Sequence, residues 1–292
     1  MQMNDELRWY LLTSKKFERQ IADAFTLFRK EGIEPLLIKG WAAARYYPAD
    51  KPRFFGDVDI AVAAEHFELA ERLIKTPAFE FVPIDLHREL RALDRVQWTD
   101  VIDHSELIET EFGTIRVPRA EDHLRVLCVH WLNDGGAYKD KLWDIYHLIE
   151  NRKGNFDWDR CLGTVSETRQ GWIISAIAVA HKYLGLDVSE LPFAERARNV
   201  EPWLSLALEK EWATDIRLKP IHTVLTDRKA LWQQIRKRIP PNPIQATIEM
   251  EGRFDARTRV FYQIGDSFQR LTPSLSRVIP TVFRSFRKNS GE

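Results

Sequence analysis

Two short stretches, Leu36-Leu37-Ile38-Lys39-Gly40 and Gly56-Asp57-Val58-Asp59-Ile60-Ala61-Val62, constrain this chain more than any other part of it. The first reads as a buried strand that stops at a Lys-Gly turn. The second reads as a strand opened by Gly56, with carboxylates at alternate positions. Strand side chains alternate sides, so Asp57 and Asp59 are expected to project from one face while Val58 and Ile60 meet a core. Two carboxylates on one rigid face repel each other unless a hard divalent cation sits between them. That is how a Mg²⁺ site for phosphoryl chemistry is built.

A D-x-D pair taken alone is commonly a solvated strand end. Here the order carries more weight: apolar strand, Lys-Gly turn, short helix, Arg53, then Gly-Asp-Val-Asp. This order resembles the nucleotidyltransferase superfamily that shares the DNA polymerase β catalytic fold. It is most similar to a bacterial branch with Lys-Gly where other members carry Gly-Ser or Gly-Gly, distantly similar to toxin-type nucleotidyltransferases. The resemblance spans roughly residues 30–150.

The resemblance implies an α+β fold: a small mixed sheet flanked by helices over residues 1–118, then a mostly helical domain over 119–292. It implies that Asp57 and Asp59 hold two Mg²⁺ (or Mn²⁺) ions, about 3.5–4 Å apart in such sites. A third carboxylate on the next strand completes the site, and Asp85 in Ile84-Asp85-Leu86-His87 matches that position. The implied reaction moves an NMP from an NTP to an acceptor hydroxyl and releases pyrophosphate. Gly40 and the helix start would cradle the phosphates with Lys39 and Arg53, and substitution of Asp57 or Asp59 by Ala would stop turnover without unfolding the chain. Lys141 and Asp144, in Lys141-Leu142-Trp143-Asp144, resemble a segment that brings a lysine to the nucleotide.

The residues themselves leave alternatives open. Asp85 and His87 share a strand face, and Asp94, Asp100 and Asp103 are rival third carboxylates in an irregular region. Lys39 also reads as a snorkelling strand-end lysine, and Arg53 as a partner for Asp50 or Asp57. Lys141 and Asp144 have the spacing of an i,i+3 ion pair, worth ~0.2–0.5 kcal/mol. His123, Cys128 and His130 suggest zinc, but on one helix residue 128 points well away from 130, so a core thiol and ordinary histidines are expected.

Elsewhere, apolar spacing predicts helices over 5–31 and 64–75, and a strand over 112–118, a candidate last strand of the sheet. Helices are expected from Glu121 to the Asn133-Asp134-Gly135-Gly136 stop, over Lys139–Ile149, and through 156–240 with breaks at Gly185, Pro192 and Pro220. Net charge is zero, but residues 216–292 hold 15 Lys and Arg against 6 Asp and Glu. That basic part, with Phe interleaved and a frayed end over 284–291, could touch nucleic acid, although no reading module is recognisable. Two cysteines and no leader or membrane-length apolar run suggest a cytoplasmic protein. The acceptor is unreadable: small molecules, sugars, peptide or protein side chains and RNA are all used by relatives of this fold. A nucleotide-binding module without activity and a toxin-type transferase acting on tRNA are the competing expectations.

Overall fold

A computed structural model describes residues 5–90, 96–214, 216, 218–219, 223–224 and 227–270, with side chains from residue 12 onward. Asp94, the break at Pro220 and the basic end over 284–291 lie outside the described residues.

The chain opens with a long helix, α1 (Asp5–Lys30), whose Ile21, Ala24, Phe25 and Phe28 follow the predicted stripe and are fully buried. Each such Phe contributes roughly 1.5–3 kcal/mol through removal from water. Next come β1 (Leu36–Leu37), the short helix α2 (Trp41–Ala44), β2 (Val58–Val62), α3 (Phe67–Leu73) and β3 (Ile84–Arg88). The three strands form one sheet in the order β1-β2-β3. β1 runs antiparallel to β2, pairing Leu37 with Ile60, and β3 runs parallel to β2, pairing Asp59 with Asp85.

As the central strand, β2 is buried along its whole length. Val58, Ile60 and Val62 enter the core built with Phe25 and Phe28 of α1. The opposite face places Ala61 against Leu36, Ile38, Leu90, Val101 and Val126. Asp59 alternates onto this second face, so an acidic side chain is buried beside that apolar cluster. Burial of that kind is costly without charge partners.

Beyond β3, α4 (Trp98–Asp103) leads into β4 (Glu106–Thr110) and β5 (Gly113–Val117), an antiparallel pair that forms a sheet of its own. The predicted strand over 112–118 therefore exists, but it is not the last strand of the three-stranded sheet. The tight reversal between Thr110 and Gly113 pairs it with β4, whose Glu106-Leu107-Ile108-Glu109-Thr110 has adjacent apolar residues and no period-two alternation to mark it as a strand.

The mostly helical remainder comprises α5 (Ala120–Asn133), α6 (Leu142–Glu150), α7 (Glu167–Leu184), α8 (Ala194–Ala197), α9 (Pro202–Trp212), α10 (Arg228–Arg238) and α11 (Pro243–Glu249), and residues 260–270 are also helical. α5 starts at the predicted point and ends where the glycines at 135 and 136 take positive φ. α7 is capped by Ser166, whose side chain accepts from the Arg169 N–H, and ends on left-handed Gly185. No helix among the described residues is long and apolar enough to cross a membrane. The chain forms two compact units, residues 1–130 with 140–198, and residues 131–139 with 199–292. All the candidate site residues lie in the first.

Candidate metal and nucleotide site

The site grows from the end of β1. Ile38 donates its N–H to the Asp59 carbonyl at 3.0 Å, which carries the strand pairing one residue past Leu37 and delivers Lys39 to the acidic face. The chain then turns at Gly40, with φ +57 and ψ −115. A Cβ on Gly40 would lie 3.3 Å from the Asp57 carbonyl oxygen in a backbone region side chains rarely adopt. Glycine is thus required both for the turn and for the close approach of the two strands.

Asp59 and Asp85 are cross-strand neighbours in parallel register, so both carboxylates lie on the face that α5 partly covers. His87, two residues further along β3, joins them. Its Nε2 is 3.2 Å from Asp59 Oδ1 and 3.4 Å from Asp85 Oδ2. One ligand atom from each of Asp59, Asp85 and His87 lies within 4.8 Å of the others. Two carboxylate oxygens and an imidazole nitrogen form a donor set suited to a divalent cation such as Mn²⁺, or to Mg²⁺ completed by water.

The three groups differ in their surroundings. Asp59 is nearly sealed, His87 half-buried, and the Asp85 side chain is 62% exposed. Lys39 Nζ lies 2.5 Å from Asp59 Oδ1, both side chains being buried. Burial would push the Asp59 carboxyl up, but the hydrogen bond from His87 and the Lys39 ammonium outweigh it and hold the group down at about 2. Lys39 Nζ also lies 3.4 Å from His130 Nε2 of α5.

Asp57 sits one residue before β2, is exposed, and stands outside the Asp59-Asp85-His87 cluster. Alternation would hold only if the strand continued through residue 57, whereas the ladder begins at Val58. The α2 start is also less open than its glycine suggests. It is only four residues long, and the Ala42 and Ala43 N–H groups are taken by the Lys39 and Gly40 carbonyls.

Arg53 and Asp144 are brought together from 91 residues apart. Arg53 Nε bonds Asp144 Oδ1 at 2.6 Å and Nη2 bonds Oδ2 at 2.8 Å, a two-pronged pair in a buried setting. The Tyr47 hydroxyl donates to Asp144 Oδ1 at 2.6 Å. Burial, then the Asp144 charge, push the Tyr47 phenol far up, so it remains a donor. The expected Arg53 pairing with Asp50 or Asp57 is replaced by this one. Likewise, the helical Lys141–Asp144 pair gives way to Arg53, whose planar fork matches a carboxylate better. Lys141 itself closes the 3-10 turn that leads into α6.

Among the rival carboxylates, Asp100 is used elsewhere, bonding Arg160 at 3.1 Å in a network with Asp122 and Arg125. Asp103 is exposed at the end of α4. In the sequence the role of His87 is open and His130 reads as an ordinary histidine. The alternation of Asp85 and His87 signalled the first, and nothing local signals the second. His123 and Cys128 are fully buried.

The model of a family described as uncharacterised nucleotidyltransferases matches residues 1–83. The match takes in Lys39, Gly40, Arg53, Asp57 and Asp59 and stops just short of Asp85. No curated protein and no solved structure matches the chain.

Proposed function

We propose that this chain is a metal-dependent nucleotidyltransferase that transfers an NMP from an NTP to an acceptor hydroxyl, releasing pyrophosphate. The observation that carries the reading is the Asp59–Asp85 register pair, with His87, beside the Lys39–Gly40 bend; of these, Lys39, Gly40 and Asp59 lie in the residues 1–83 that match a nucleotidyltransferase family. Asp59, Asp85 and His87 would hold a divalent cation, with exposed Asp57 as a further oxygen donor. Such an ion, when bound, polarises a phosphoryl oxygen and lowers the pKa of an attacking hydroxyl.

The remaining roles belong to the chain itself. Asp85, the most exposed carboxylate of the cluster, is placed to accept the proton of the acceptor hydroxyl. His87 Nε2 lies against both carboxylates and would turn a lone pair to the ion when one is bound. Lys39 supplies positive charge at the bend where phosphates would lie, and offsets charge that develops on them. Arg53 fixes α6, and with it Lys141, beside the loop that precedes β2. The acceptor is one of the hydroxyl-bearing classes named above.

The test is incubation with each α-labelled NTP, Mg²⁺ or Mn²⁺, and a host lysate. Label should enter one fraction, vanish with chelator, and vanish with Asp85→Asn. Wild-type labelling by Asp85→Asn would overturn the assignment.

The Lys39 ammonium favours a second reading. It neutralises Asp59 without any metal, as a nucleotide-binding module with no transferase activity would require. NTP binding that chelator leaves unchanged, with no pyrophosphate release under any acceptor condition, would select that reading. The toxin-type reading rests on the basic C-terminal part alone. There, Lys237 is already paired with Glu211 at 2.7 Å and Arg238 with the Gln234 side chain. Steeply salt-sensitive tRNA binding would revive it.

A further inference from the structure

The cavity between α6 and the loop after α2 has no part in the chemistry above. It has a volume of about 530 Å³, in the range of sites for small organic ligands, and Tyr47, Asp50, Lys51, Trp143, Tyr146 and His147 line it. Trp143, Tyr146 and His147 are spaced i, i+3, i+4 and so share one face of α6.

His147 is the hub of an aromatic wall. Its ring centroid is 4.3 Å from Tyr47, 5.2 Å from Tyr146 at 82°, and 5.5 Å from Trp143 at only 25°. Trp143 is 38% exposed, a large ring left partly uncovered beside a cavity. Tyr47 is fixed from behind, because its hydroxyl is spent on Asp144 and Asp144 is clasped by Arg53. Asp50 and Lys51 are exposed and supply one acceptor and one donor at the edge. Burial lowers the His147 pKa, which keeps the imidazole neutral near pH 7, with one nitrogen to donate and one to accept.

These groups narrow the ligand by class. A cation would suit aromatic faces but would meet the Lys51 charge. An anion would meet Asp50 and the negative faces of the rings. A neutral planar ring with donors and acceptors on its edge satisfies both constraints, since it stacks on Trp143 and turns its edge to His147, Asp50 and Lys51.

We propose that this cavity holds the base of the nucleotide whose phosphates lie at the Lys39–Gly40 bend. This rests on the nucleotidyltransferase reading, and it adds where the nucleotide's base goes. The wall and the acidic strand are connected by one run of side chains, Tyr47 to Asp144 to Arg53, and Arg53 lies within electrostatic reach of Asp57.

Phosphate-free and base-free probes separate the two ideas. Adenosine, guanosine, cytidine and uridine, and separately inorganic tripolyphosphate with Mg²⁺, are titrated into the full chain by calorimetry. At least one nucleoside should bind. Trp143→Ala should weaken it at least tenfold, Trp143→Phe should keep most of the affinity, and tripolyphosphate should bind all three proteins alike. The exposed-rim double variant Asp50→Ala/Lys51→Ala, which leaves the core untouched, should weaken the nucleoside several-fold. Tripolyphosphate binding with no nucleoside binding up to solubility would overturn the base site and leave the transferase reading standing. Nucleoside affinity unchanged in Trp143→Ala and in the rim variant would also overturn it. Failure of both probes would overturn both ideas.

Discussion

Lys39 Nζ lies 2.5 Å from Asp59 Oδ1, so an ammonium occupies one side of the carboxylate proposed to hold a divalent cation. Both side chains are buried, and neither is easily left alone. Removing one member of a buried pair costs about 3–5 kcal/mol, because the other remains charged and unpaired. Asp59→Ala is therefore expected to destabilise the fold as well as stop turnover, unlike the clean loss of activity that the sequence alone suggests. Lys39→Met should likewise lose stability by urea denaturation, yet bind Mn²⁺ more tightly in the absence of nucleotide, since no resident cation must be displaced. Weaker Mn²⁺ binding by Lys39→Met would show that the ammonium supports the metal site rather than competing for it.

The depressed Asp59 carboxyl has a pH signature. Its folded pKa of about 2 lies below the ordinary 3.8, so its contribution is complete above about pH 4 and is lost as pH falls toward 2. The shift corresponds to about 2 kcal/mol. With chelator present, the stability difference between wild type and Asp59→Asn should shrink across that window. A difference that stays constant from pH 5 to pH 2 would contradict the linkage.

His123 titrates in the same sense over a different range. It is fully buried, and burial, with the nearby Arg45 charge, lowers its pKa from 6.5 to about 3. A neutral buried histidine gives its full contribution above pH 6.5 and loses it progressively toward pH 3, as the unfolded chain takes up the proton first. His123→Leu should flatten the stability profile between pH 6 and pH 4, measured by chemical denaturation. An unchanged profile would mean that the imidazole is charged in place.

Arg53 and Asp144 are expected to act on stability before they act on nucleotide. Arg53→Ala leaves Asp144 buried with only the Tyr47 hydroxyl, and about 3–5 kcal/mol should be lost without any ligand present. Arg53→Lys should recover only part of it, because an ammonium cannot reproduce the two-pronged contact. Full stability of Arg53→Ala would free Arg53 for a purely nucleotide-facing role.

Asp85 offers the cleanest separation of metal binding from folding. Its side chain is 62% exposed, so Asp85→Asn should change stability by no more than about 0.5 kcal/mol. The same change should weaken Mn²⁺ at least tenfold by calorimetry, with His87→Ala weakening it too. Wild-type Mn²⁺ affinity in Asp85→Asn would remove this carboxylate from the site.

Several features were determined by the sequence alone, because their causes are local. Period-two alternation put Val58, Ile60 and Val62 in one core and Asp59 on the other face. The apolar stripe of α1 and the glycine stop after α5 follow from neighbouring residues in the same way, as does the Lys-Gly bend. Tertiary structure decided what the local pattern cannot encode. Parallel register set Asp85 beside Asp59, and helix packing carried His130 to Lys39 and Asp144 to Arg53, each across 91 residues. The ladder begins at Val58, which left Asp57 outside the cluster although its spacing matched. A spacing rule fixes which way a side chain points along one strand, while its partner depends on which distant element the core brings alongside.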